Sequence, residues 1–194
     1  MSTFHLYLNL GLGHIADFKG YDHILFIITL IAVYQIQHWK KILILVTAFT
    51  IGHSLTLVLA TLDLVRAPIK WVEFLIPVTI FLTAIGNILQ KKTTYSIRHH
   101  IYKYALALFF GLIHGLGFST YLRSILSGEG HLVFPVFSFN VGIELGQLLI
   151  VSIFLTIGVL FMRFLKVNPR EWNLFFSGAG FGVSLILMFE RFPL

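Results

Sequence analysis

Gly20-Tyr21-Asp22-His23-Ile24-Leu25-Phe26-Ile27 is the stretch on which the reading of this chain turns. An aspartate and a histidine stand side by side at the head of a run that meets no Asp, Glu, Lys or Arg until Lys40. In hydrocarbon an ionisable group is expensive, so such a pair needs a partner or a job. Later apolar segments each hold a polar group of the same kind. These are His53 in Thr50-Ile51-Gly52-His53-Ser54, His114 in Gly111-Leu112-Ile113-His114-Gly115, and Glu144 in Asn140-Val141-Gly142-Ile143-Glu144. The expectation is that these groups converge on one site inside a membrane domain.

Composition supports a membrane class. Of 194 residues, 57% are hydrophobic and 11% charged, against about 25% charged in soluble domains. Cysteine is absent, which excludes disulfides, thiolate metal sites and cysteine nucleophiles. The net charge of +6 is read as basic loops on one side of a bilayer, not as a nucleic-acid patch. The opening Met1-Ser2-Thr3-Phe4-His5 lacks the basic start of a signal peptide.

Outward from the first stretch, the chain reads as an all-α polytopic membrane protein with one transmembrane domain over 1–194. Six helices are expected, near 22–37, 42–62, 71–89, 104–122, 133–165 and 172–188. The fifth is long enough to tilt, or to break near Gly142 and Gly146. Residues 4–16 are apolar but too short to span, and suit an interfacial or re-entrant segment. Spanning segments must satisfy their backbone internally, and the alternation of barrel strands is missing. Nine basic residues fall in loops after the first, third and fifth spans, and five on the other side. That bias places both termini outside. With ~1.5 Å rise per residue, Asp22, His23, His53, His114 and Glu144 then share the outer half of the bilayer or its midplane.

Each group also has a plain structural reading. Asp22 can N-cap its helix. His23 and His53 can make buried structural hydrogen bonds, and the glycines flanking His114 can be only a packing face. A salt bridge for Glu144 lacks a Lys or Arg at matching depth, which leaves histidine as its partner. His14, with Asp17 three residues on, is an additional ligand candidate. Thr79, Thr83 and Asn87 form a polar stripe that either lines the cavity or bonds to neighbours. His5, His38, His99, His100 and His131 are read as solvated. Imidazoles and carboxylates without thiolates fit a borderline divalent ion, Ni²⁺, Co²⁺ or Zn²⁺. The candidate metal set is therefore His14, Asp22, His23, His53, His114 and Glu144, with Asn140, Gln147, Ser54 and Thr50 orienting it.

These residues resemble the HupE/UreJ family of hydrogenase and urease accessory membrane proteins. The resemblance rests on Gly20-Tyr21-Asp22-His23, Gly52-His53-Ser54, the glycine-flanked His114, and Phe139-Asn140-Val141-Gly142-Ile143-Glu144-Leu145-Gly146-Gln147. His14 stands eight residues before Asp22 where the family commonly has six, which marks a divergent branch. The resemblance implies about six spans in a bacterial inner membrane and a nickel or cobalt permease without an ATPase. It also implies functional roles for His14, Asp22, His23, His114 and Glu144. The expected partners are the lipid bilayer and the metal ion, with a homo-oligomer or a partner membrane protein left open and no nucleic acid. Passage of the metal ion is preferred to an enzymatic role. The alternatives are an intramembrane zinc hydrolase, with Ser54 as an oxyanion donor, and a non-catalytic subunit of a membrane assembly.

Overall fold

The computed structural model describes residues 2–17, 20–90, 97–126 and 133–194, with side chains omitted for 97–99. The Gly128-Glu129-Gly130 turn, His131 and the side chain of His99 lie outside the described residues. Seven α-helices account for nearly all that is described. They are α1 (Thr3–Ile15), α2 (Asp22–Ile31), α3 (Trp39–Thr61), α4 (Ile69–Leu89), α5 (Ile97–Leu126), α6 (Val133–Phe164) and α7 (Pro169–Glu190). The helices α3 to α7, with the turn that leads into α3, are long and apolar enough to cross a membrane.

The first expected span takes a different form. Its helix, α2, has ten residues and ends at Ile31. A 3₁₀ turn at Ile36–His38 follows, in which the Gln35 N–H donates to His38 Nδ1 at 3.4 Å and the His38 N–H to the Gln35 carbonyl at 2.8 Å. This local closure uses backbone groups that a continuing helix would need. At its other end α6 runs unbroken for 32 residues through Gly142 and Gly146. Such a helix is about 48 Å long, more than the ~30 Å of a bilayer's hydrocarbon core.

Helix ends are closed by chemistry visible in the sequence. Asn168 and Glu171 form a capping box around Pro169 at the start of α7. Arg170 donates to the carbonyls of Ile88 at 2.6 Å and Gln90 at 2.7 Å, closing the C-terminus of α4. Arg123 reaches the Ala60 carbonyl at the end of α3 in the same way. Cations there meet the negative ends of the helix dipoles.

Two helix crossings organise the bundle, and they are built alike. Helices α3 and α5 run parallel, with Gly52 against the backbone of Leu108 and Leu112, and Gly111 against that of Phe49 and His53. Helices α1 and α6 also run parallel, with Gly142 against Leu8 and Leu12, and Gly11 against Phe139 and Ile143. A Cβ at any of the four glycines would collide with a neighbouring carbonyl, so only hydrogen lets the backbones approach this closely. The matching residues repeat in sequence. Leu-x-x-Gly-Leu-x-His recurs as Leu8–His14 and Leu108–His114, and Phe-x-x-Gly as Phe49–Gly52 and Phe139–Gly142. Helix α1 follows α6 from Phe4 beside Phe134 to Ile15 beside Gly146, and stops there. Helices α4 and α7 pair antiparallel, from Phe74 on Phe192 to Asn87 on Ser177.

Candidate functional site

The crossings carry four histidines to one place. His53 follows Gly52 on α3, and His114 lies one turn beyond Gly111 on α5. His14 lies one turn beyond Gly11 on α1, and His23 opens α2. Ring centroids lie 4.6 Å apart for His14 and His23, 5.3 Å for His23 and His114, 5.7 Å for His23 and His53, and 5.8 Å for His14 and His53. His53 and His114 are fully buried and His23 is 7% exposed, while His14 is half-buried. Four phenylalanines wall the group: Phe26 and Phe49 against His114, Phe118 and Phe139 against His14.

The polar atoms of these rings are largely unsatisfied. His14 Nε2, His23 Nε2, both nitrogens of His53 and Nδ1 of His114 are buried without a hydrogen-bond partner. Buried polar groups in folded proteins are nearly always bonded, so five bare nitrogens in one cluster call for an explanation. The remaining His114 nitrogen, Nε2, meets Thr79 Oγ1 at 2.9 Å. That contact gives the Thr79 end of the stripe on α4 a place at the cluster. The far end serves packing: Asn87 donates to the Thr29 carbonyl at 2.6 Å and to Ser177 at 3.3 Å.

The two acids are bonded to other partners. Asp22 pairs with Arg191 at the end of α7, at 2.8 and 3.3 Å. Glu144 accepts from Thr47 Oγ1 at 2.7 Å, and its Oε2 is buried and unpartnered. It heads a ladder between α3 and α6 in which Thr50 donates to Gln147 at 2.9 Å and Ser54 to Asn140 at 2.6 Å. Thus Asn140, Gln147, Ser54 and Thr50 share one interface with Glu144, beside the histidines rather than among them. The residues that sequence reasoning missed are Arg191 and the phenylalanine wall. Neither carries a local signal, since Arg191 lies 169 positions from Asp22. His100, expected to be solvated, is buried at 7% exposure on α5 with Tyr34 stacked 6.3 Å away. Its neighbourhood is polar in sequence but enclosed in space.

A recess of about 300 Å³ reaches the cluster. His14, His23 and His114 line it together with Asp17, Asp22, Glu73 and Arg191. Among the described residues, no three His, Asp or Glu side chains are arranged to hold a metal ion as they stand. Four of the ring pairs can be set against the spacing of imidazoles that share an ion. With metal–nitrogen bonds of about 2.0–2.1 Å, two imidazoles on one ion hold their centroids about 5.2 Å apart at the tetrahedral angle and about 4.5 Å at a right angle. The observed 4.6–5.8 Å spans the first value and begins just above the second.

The exterior is as apolar as the interior. On α6, Leu145, Leu149 and Ile153 face outward at 46–53% exposure, while Gly142, Gly146 and Gln147 face in. Only 28% of its most apolar window is buried within the protein. An apolar outside wrapped around a polar, histidine-bearing inside defines a helical integral membrane protein. The chain belongs to the HupE/UreJ family, whose model, described as HupE / UreJ protein, matches residues 1–190. No curated protein and no solved structure matches it.

Proposed function

We propose that the protein passes a divalent transition-metal ion, Ni²⁺, Co²⁺ or Zn²⁺, across the membrane by way of His14, His23, His53 and His114. The family is linked to nickel and cobalt handling. The observation that carries the reading is the set of five unpartnered imidazole nitrogens in one walled cluster. A neutral imidazole has one lone pair, so these nitrogens offer at most one to an ion from each of the four rings, and one of the two on His53 keeps its N–H. The acids of the recess draw the cation in, with Asp22 and Glu144 offsetting its charge from the flanks. A permeation site must also let go. His53 and His114 ride on the glycine-locked pair α3 and α5, whereas His14 and His23 come from α1 and α2. Movement of the second pair against the first opens the cluster without unfolding either crossing.

In this reading α1 is a re-entrant half-helix and α2 with its following turn is the first of six crossings. Residues 1–194 form one transmembrane domain, and the excess of basic residues puts both termini outside. In the zinc-hydrolase alternative Ser54 could serve as an oxyanion donor, and its hydroxyl here donates to Asn140 at 2.6 Å.

The test is flux into liposomes that hold a metal-sensing dye, with nickel, cobalt and zinc compared. Wild type is expected to carry at least one of these ions. His53→Ala, His114→Ala and Glu144→Gln are expected to abolish flux while leaving the protein folded. Undiminished flux in His53→Ala and His114→Ala together would remove the cluster from the path.

A further inference from the structure

Thr79 has two close polar neighbours and one proton. Its Oγ1 lies 2.7 Å from the Ile76 carbonyl oxygen, one turn back in α4, and 2.9 Å from Nε2 of His114. Thr79 is 2% exposed and His114 is fully buried. A hydroxyl donates once and accepts through two lone pairs, while a neutral imidazole has one N–H and one bare nitrogen. Two arrangements follow. When Thr79 donates to Ile76, His114 Nε2–H donates to Thr79, and both short contacts are hydrogen bonds. When Thr79 donates to Nε2, the contact with Ile76 is lost as a bond and the imidazole proton moves to Nδ1. That atom is buried and has no partner, and buried N–H groups are seldom left orphaned. Among the described residues Oγ1 has only these two hydrogen-bond contacts, since Thr83 donates to the Thr79 carbonyl at 2.7 Å and not to the hydroxyl.

We infer that Thr79 is a positioning residue that holds neutral His114 as the Nε2–H tautomer, leaving Nδ1 as its basic nitrogen within the histidine cluster. The partner of one ring nitrogen decides which form the other takes, as in known metal sites where a hydrogen bond behind the ligand orients it. The inference rests on the transport reading only for what Nδ1 binds, not for the tautomer itself. It makes His114 the member of the four whose ligating atom is set in advance.

The experiment uses the full chain in lipid nanodiscs, labelled with ¹⁵N-histidine, without metal and then titrated with Zn²⁺. The metal-free wild type is expected to show His114 with the proton on Nε2. Thr79→Val removes the acceptor and keeps the shape, and is expected to mix the tautomers and weaken Zn²⁺ binding by about 10–100-fold. Thr79→Ser restores the hydroxyl and is expected to restore the spectrum and the affinity. A wild-type His114 protonated on Nδ1 overturns the inference without any variant. So does a Thr79→Val protein with unchanged tautomer and affinity, or a Thr79→Ser protein as impaired as Thr79→Val. If wild type shows the Nε2–H form but binds none of Zn²⁺, Ni²⁺ and Co²⁺ in the same titration, the tautomer assignment stands and the transport reading falls.

Discussion

Replacing His53 with leucine should make the metal-free protein more stable while destroying its metal response. His53 is fully buried in mid-α3, and neither of its nitrogens has a hydrogen-bond partner. A buried unsatisfied polar atom carries a penalty of about 1–3 kcal/mol. Leucine is close in volume to histidine, is apolar and is a better helix former. It keeps the contact with Phe49, whose ring lies 5.9 Å from that of His53. The backbone at this position, pressed against Gly111 and Gly115, does not change. His53→Leu is therefore expected to gain about 1–3 kcal/mol without metal, the penalty removed. Wild type has the opposite asset. A ligand at a hundred times its dissociation constant adds about 2.7 kcal/mol to the form that binds it. The assay is thermal unfolding in nanodiscs, run with chelator and with excess Ni²⁺ or Zn²⁺. Wild type should gain with metal, and the variant should start higher and gain little. A variant that is less stable than wild type under chelator and still gains from metal would refute the reasoning, since His53 would then be a satisfied structural residue.

Four further outcomes follow from the structure. Gly52→Ala places a methyl against the Leu108 carbonyl and should cost about 1–3 kcal/mol by overpacking, with flux lost as His53 and His114 part. Gly86→Ala, with open space at its Cβ, should be neutral or slightly stabilising in the same unfolding and flux measurements. Arg191→Gln frees Asp22 from a partly buried ion pair and should tighten Zn²⁺ binding by up to about fivefold in calorimetry, in keeping with about 1 kcal/mol for such pairs; unchanged or weaker binding removes Asp22 from the recess chemistry. Finally, the hydrogen bond from Arg66, aided by the charges of Arg66 and Arg123, holds Asp63 down at about 2, below its ordinary 3.8. A depressed carboxyl favours the folded form above its unfolded value and ceases to as pH falls through its folded one. The stability gap between wild type and Asp63→Asn should thus be constant above pH about 4 and shrink towards pH about 2. Asparagine tolerates the left-handed backbone at this position, φ 63°, so a gap that ignores pH would point to backbone or packing effects and not to the ion pair.

The sequence by itself determined the class of this protein and the inventory of its site. Long apolar runs can satisfy their backbones only as helices, and a histidine within such a run stands out because its burial needs a reason. Hence His14, His23, His53 and His114 were legible as candidates, and five of the helices lie where hydropathy puts them. Even the two crossings are written as repeated Leu-x-x-Gly-Leu-x-His and Phe-x-x-Gly elements. Hydropathy did not reveal where α2 stops, because the apolar run continues through Ala32 and Val33 past the last helical residue, Ile31.

Tertiary structure alone decided who meets whom. Glu144 shares the depth of the histidines, yet the rotation of α6 on α3 turns it to Thr47. Asp22 stands next to His23 in the chain, yet successive helical side chains point about 100° apart, and one goes to Arg191 while the other joins the cluster. Depth along a helix is a one-dimensional quantity that a sequence encodes. The direction in which a side chain leaves the helix gains a partner only when other helices have taken their places around it.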